Sequence, residues 1–251
     1  MGALHRWIRS VGHYNETYFT LELRYAPGEK FFQTRSLRIP VNFDAPVIVL
    51  THTFAPKHFM GAPFQVNKTE LSFSKRFWLS AFGFVDCIIK GGHVWSQSPY
   101  LSLLIPNANL SYTIQPESFG LMTPLEFIHD SFGMWDITYW ANGAILNNIP
   151  LLKKLKLREA VTFRGWIGNL SDRNNPLKHP ELYRFPVDIP HISEAHNPYQ
   201  SMHGKPYMEI SAGIDNLFKC LRVDWVWRLT YREGIPASSK SGPRIALHMT
   251  F

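Results

Sequence analysis

Cysteine is scarce in this chain, with two in 251 residues, Cys87 and Cys220, lying 133 positions apart. They form neither a CxxC redox pair nor a zinc set, which excludes a disulfide framework and a zinc ribbon. Long apolar runs are missing as well. No stretch of about 18 uncharged apolar residues occurs, so a transmembrane helix is excluded while a β-barrel is not. The opening MGALHRWIRSVG is too short and too polar for a signal peptide with an apolar core and a small-residue cleavage site, so no export signal is read there. GxSxG, Walker-type and Gly-rich dinucleotide fingerprints do not occur, which removes the enzyme classes that a short motif announces.

What is abundant is aromatic. Eight Trp, ten Tyr and 18 Phe make 14% of the chain, an excess that belongs to pleated surfaces and membrane interfaces. The net charge of +7 is spread through alternate strand positions and loops, with no basic helix or stacking platform. Nucleic acid is therefore not an expected partner.

The clearest segment is Cys220 to Arg232, where Leu221, Val223, Trp225, Trp227, Leu229 and Tyr231 alternate with Arg222, Asp224, Val226, Arg228, Thr230 and Arg232. Period two means a strand, since a helix would mix the two sets. Met208, Ile210, Ala212 and Ile214 alternate with Glu209, Ser211, Gly213 and Asp215, and a turn near Asn216 to Lys219 makes a hairpin. The last strand runs from Arg244 to Phe251, with Ile245, Leu247, Met249 and Phe251 on one face. Six further strands are read near 15–26, 46–55, 66–79, 83–95, 132–143 and 156–168. A tenth is possible between Leu101 and Thr113 if Pro106 interrupts it, and IPLLKKL at 149–155 reads as one helical turn.

Connections are tight near 80–83 and 216–219 and long at 27–45, 96–131 and 169–205. Short turns at one end and long loops at the other suit an outer-membrane barrel. Strands of about 12 residues, tilted by about 45°, cross about 28 Å, close to a hydrocarbon core. The expected fold is all-β, an antiparallel transmembrane β-barrel or the C-terminal part of one, with about 9–10 strands. Residues 1–14 form an N-terminal segment and 15–251 one barrel domain. A soluble β-sandwich and an outer-membrane hydrolase acting on lipid or glycan remain alternatives.

Four stretches point to a family: PESFGLMTPLEFIHD (116–130), IPLLKKLKLREAVTFRGWIGNLSDRNNP (149–176), PYMEISAGIDNLFKCLRVDWVWRLTYR (206–232) and GPRIALHMTF (242–251). On these the chain resembles the C-terminal barrel of an outer-membrane family of unknown function common in Bacteroidales. Full-length members of that family often carry a signal peptide and a carboxypeptidase-regulatory-like β-sandwich ahead of the barrel. The resemblance implies a Gram-negative outer-membrane address and supplies no catalytic residues.

On this reading Leu221, Val223, Trp225, Trp227, Leu229 and Tyr231 face lipid, while Glu209, Asp215, Arg222, Asp224, Arg228 and Arg244 face the lumen as neighbouring opposite charges. Ile245, Leu247, Met249 and Phe251 look like an assembly signal for the barrel-assembly machinery, which with outer-membrane lipid is the expected partner. The role is expected to be non-enzymatic, in transport, assembly or surface binding, with no cofactor. His179, Glu181, His191, Glu194, His196 and His203 crowd one region, but Pro180, Pro186, Pro190 and Pro198 make it a loop that fits no metal-ligand frame. Arg164 and Gly165 of VTFRGWIG are read as strand residues. Cys87 shares parity with Val85 and Ile89, Cys220 with Arg222 and Asp224, so no disulfide is expected between them.

Overall fold

The computed structural model describes residues 15–144, 146–150, 152–185 and 199–247. Among the described residues there are eleven strands: β1 (Phe19–Tyr25), β2 (Phe31–Gln33), β3 (Arg38–Pro40), β4 (Val47–Ala55), β5 (Val66–Trp78), β6 (Phe84–Val94), β7 (Ser131–Trp140), β8 (Arg158–Asn169), β9 (Tyr207–Leu217), β10 (Leu221–Arg228) and β11 (Ser241–Leu247). Nine of them form one antiparallel sheet in the order β1-β4-β5-β6-β7-β8-β9-β10-β11, and β2 and β3 pair separately as a small ribbon. The sheet is open. Among the described residues β1 and β11 do not pair, so closure into a barrel is not a property of these strands alone.

The nine strands match the nine read from the sequence, because each carries its alternation over most of its length. The possible tenth strand is not formed. Residues 101–113 contribute only isolated bridges, Leu104 with His129, Ala108 with Phe119 and Thr113 with Ile245. The β2–β3 ribbon was not read, since three-residue strands carry too little alternation to detect. IPLLKKL supplies a short 3-10 turn at Leu152–Leu155.

Long loops gather at one end of the sheet. Residues 56–65, 95–130, 170–185, 199–206 and 229–240 lie there, whereas the other end holds the five-residue turn between β5 and β6 and the three-residue turn between β9 and β10, beside the longer connection 26–46 and the one that joins β7 to β8. From the long-loop end, segment 95–130 folds back over one face of β6–β11. Its Phe119, Met122 and Phe127 pack with Met134, Trp166, Met202 and Tyr207 to form the main core. A second core at the loop end joins Val94, Leu103, Leu104, Ile128 and Phe185.

The two sheet faces have inverted polarity. On the covered face of β7–β10, Asp136, Thr138, Thr162, Glu209, Ser211, Asp215, Arg222, Asp224 and Arg228 are buried. On the opposite face Leu71, Phe77, Ile89, Val161, Ile167, Ile214, Trp225, Trp227 and Ile245 are exposed. A water-soluble sheet does the reverse, because its apolar face is the one removed from water.

Candidate functional site

Four charged residues stand in one row across adjacent strands of the covered face. Asp136 of β7 is in register with Arg164 of β8, Arg164 with Glu209 of β9, and Glu209 with Arg228 of β10. The signs alternate, so each charge has an opposite neighbour at cross-strand distance. Period two in four successive strands, together with their shared register, is what aligns them.

Above this row lies a strap of backbone, residues 116–126, and six consecutive strands each send one charged side chain to it. Lys90 of β6 pairs with the Glu117 carboxylate. Asp136 accepts the Glu117 N–H (3.3 Å) and is itself bound by Arg164 Nε at 2.7 Å. Arg164 Nη1 donates to the Ser118 carbonyl at 2.8 Å. Glu209 accepts the N–H groups of Gly120 (2.9 Å) and Leu121 (2.8 Å) and the Tyr207 hydroxyl (2.6 Å). Arg228 donates to the Leu121 carbonyl (3.3 Å) and forms a buried ion pair with Glu126. Arg244 of β11 donates to the Gly120 carbonyl.

The logic is that of a sheet edge. Strap N–H groups meet carboxylates and strap carbonyls meet guanidinium groups, so a segment with no neighbouring strand still satisfies its buried backbone. The wall charges act mainly on the strap; Glu209, in register with two arginines, spends its oxygens on N–H groups and a hydroxyl. Further along, Arg222 holds Asp224 through Nε (2.7 Å) and Nη2 (2.6 Å) within β10, and its guanidinium lies 4.6 Å from the centre of the Trp140 ring. Asp215 is buried opposite Arg158 in register. A cavity of about 260 Å³ remains beside the strap, between Lys68, Glu70 and Lys90 on the wall and Leu103, Leu104 and Ile105 of the loop.

Two glycines let bulky groups close over the wall. Trp135 of β7 lies across Gly165 on the exposed face, where a Cβ would come within 1.9 Å of its ring. His129 lies against Gly168 on the other face, where a Cβ would come within 2.3 Å. His129 is buried, its Nδ1 accepts the Trp166 Nε1–H (3.1 Å), and burial pushes its pKa down to about 4. Neighbouring Asp130, also buried, accepts from the Ser171 amide and hydroxyl and from Asn174 Nδ2, tying the loop 95–130 to 170–185.

The exposed face has a polar upper border. His52, Thr69, His93, Ser131 and Asn169 form one row over β4–β8 in successive register. His52 and Thr69 share a hydrogen bond (2.9 Å), as do His93 and Ser131 (2.7 Å), and Trp95 Nε1 donates to Thr69 (2.9 Å). In β8 the apolar run Val161, Phe163, Gly165, Ile167 lies between Glu159 and Asn169. The ten residue steps from Glu159 to Asn169, at about 3.3 Å each and tilted by about 40°, set these polar borders about 25 Å apart.

Of the residues assigned to the lipid side, Trp225, Trp227 and Leu229 are exposed and Leu221 and Val223 half-buried on that face. Tyr231 is a correction. The strand ends at Arg228, Tyr231 adopts φ +53°, and its ring packs on Phe127 while its hydroxyl donates to the carbonyls of Met202 and Lys205. Burial pushes its hydroxyl pKa up. Ile245 and Leu247 are exposed in β11, whereas Met249 and Phe251 lie outside the described residues. His179 contacts Glu181 at 2.8 Å, and His191, Glu194 and His196 also lie outside the described residues. Both cysteines are free, with Cys87 in β6 and Cys220 in the turn before β10, and β7, β8 and β9 lie between β6 and β10 in the sheet order.

Lys90, Glu117, Glu126, Asp136 and Arg164 were not assigned to this site from sequence. Asp136 and Arg164 carried a usable signal, the polar parity of β7 and β8. Glu126 carried none, since its partner Arg228 is 102 positions away.

No curated protein and no solved structure matches the chain. Residues 8–171, more than half of it, match the C-terminal domain of a family of unknown function (DUF5686). The stretch 116–130 and most of 149–176 fall inside that span, and 206–232 and 242–251 beyond it. The chain therefore belongs to the DUF5686 family, through its C-terminal domain.

Proposed function

We propose that this chain is a wall of a transmembrane β-barrel in a Gram-negative outer membrane, with a non-enzymatic role in surface binding or assembly through its long loops. The inverted polarity of the sheet carries this reading. Exposed Ile89, Trp225 and Trp227 suit hydrocarbon, and buried Asp136, Glu209, Asp224 and Arg228 suit a polar interior. The apolar band of about 25 Å, bordered by the His52–Asn169 row, agrees with a bilayer core. Outer-membrane lipid and the barrel-assembly machinery are the partners that follow, the latter through the last strand.

The strap argues against free diffusion. It occupies the polar face where a porin would hold water, so the loop end, not a pore, is where a partner is met.

The test compares two substitutions of exposed apolar residues. Ile89→Arg lies in the middle of the band and Leu177→Arg in a loop, at 49% and 83% exposure. In lipid, Ile89→Arg costs about 2–4 kcal/mol and Leu177→Arg close to none. Folding into vesicles, read by heat-modifiable gel mobility, is expected to fail or weaken only for Ile89→Arg. Equal tolerance of both, with a protein that stays monodisperse without detergent, would refute the reading.

A further inference from the structure

Charges on the covered wall are mostly spent on protein. Asp136, Arg164, Glu209, Arg228 and Arg244 bind the strap, and Lys90 pairs with Glu117. Arg76 holds Asp86 through Nε (2.6 Å) and Nη2 (2.9 Å). Lys68 and Glu70 of β5 are different. They stand two residues apart and so project from one face of the strand, with the Lys68 ammonium 3.7 Å from the Glu70 carboxylate. That distance makes an ion pair but no hydrogen bond. Among the described residues neither side chain has a hydrogen-bond partner, and they keep 25% and 40% of their surface open.

Both side chains line the cavity of about 260 Å³ beside the strap. Its floor is apolar. Phe132 stacks on Trp166 with ring centres 4.1 Å apart, and Met134 lines the same space. Gly92 of β6 lets Phe132 come down onto the wall, since a Cβ there would meet that ring at 2.6 Å. Leu103, Leu104 and Ile105 close the loop side. Glu70 is in register with Gly92, which makes Lys90 its diagonal neighbour, so the charges alternate from Lys68 through Glu70 and Lys90 to Glu117.

This lining selects a ligand by charge and by size. Two cations and two anions sum to zero, so a lone anion or cation meets repulsion as well as attraction, whereas a dipolar ligand can set each of its ends against the opposite sign. The volume lies just under the about 300–1,000 Å³ of common small-molecule pockets, which leaves no room for a two-chain lipid. Water alone would fill it with about nine molecules, but the apolar floor returns no hydrogen bonds to them.

We propose that the cavity binds a free α-amino acid with an apolar side chain. Its ammonium lies against Glu70 and its carboxylate against Lys68, so that ligand and protein dipoles run antiparallel. The apolar side chain rests on Phe132 and Met134. An α-amino acid suits a pair held this close because only one carbon separates its two charged groups. The site requires the strap and the β5–β6 wall, and it stands whether or not the sheet spans a membrane.

The probe is L-leucine, titrated calorimetrically into the full chain in detergent micelles. Beside it are tested N-acetyl-L-leucine, which lacks the ammonium, and L-leucinamide, which lacks the carboxylate. Each analogue is expected to bind about tenfold more weakly than leucine, through the loss of one charged hydrogen bond. Glu70→Gln is expected to weaken leucine about tenfold and to leave N-acetyl-L-leucine unchanged; Lys68→Gln is expected to weaken leucine as much and to leave leucinamide unchanged. Both side chains are half-buried and without hydrogen bonds, so urea midpoints of the two variants are expected to match wild type. Equal weakening of all three ligands by either variant would overturn the assigned contacts. Binding of N-acetyl-L-leucine as tight as that of leucine would overturn the zwitterion. No saturable leucine binding by the folded protein would mean a cavity of water alone and overturn the site.

Discussion

At the scale of single residues, His129 is a loop group whose ionisation the fold resists. Its imidazole is buried, accepts a hydrogen bond from Trp166 and has a pKa of about 4, against about 6.5 for an exposed histidine. Burial lowers it first, and the nearby Asp130 carboxylate only partly offsets that. The folded value lies below the unfolded one, so the unfolded chain takes up the proton first. The stability this represents is complete above pH 6.5 and is lost as pH falls toward 4, on the order of 3 kcal/mol in all. Unfolding midpoints in urea, followed in detergent from pH 7 to pH 4, are expected to fall over that window. His129→Gln, which can still accept from Trp166, is expected to flatten the slope; an unchanged slope would assign it to another group.

Among the elements, the strap is held by ion pairs taken out of water, and such pairs are costly to break from one side. Arg228 is fully buried and Glu126 nearly so. Glu126→Gln leaves the guanidinium without its counter-charge and is expected to cost about 3–5 kcal/mol, with part of the loss restored by adding Arg228→Met. Urea midpoints of the two variants in detergent micelles measure this, and a single variant as stable as wild type would mean that the strap is held by its apolar side chains alone. The strands that clamp the strap were legible from sequence and the strap was not. Alternation is a local signal, and β5 to β10 carry it for eight to 13 residues each. Residues 116–126 have no period, and their partners come from β6 to β11, as far away as Arg244. Tyr231 shows the limit from the other side. The apolar pattern runs on through it, but the chain leaves the strand after Arg228 and turns the ring to the covered face.

For the whole molecule, sequence could say that one sheet face is polar and the other apolar; which of them is covered is a three-dimensional fact. The strap answers it by filling the polar side over β6–β11, and this bears on transport. On the proposed barrel reading, the lumen is crossed by residues 116–126, with Phe119 and Phe127 buried beneath the loops, and its polar wall charges are committed to protein backbone rather than to passing ions. The space that remains, including the cavity of about 260 Å³ lined by Lys68, Glu70 and Lys90, carries both signs of charge on β5 and β6. Water-filled pores belong to wide barrels whose walls are held apart, whereas plugged barrels conduct poorly. The purified protein in planar bilayers is therefore expected to show little steady conductance at neutral pH. Large, stable single-channel currents would mean that the strap leaves the wall in the membrane, and would make diffusion through the lumen the function instead of binding at the loops.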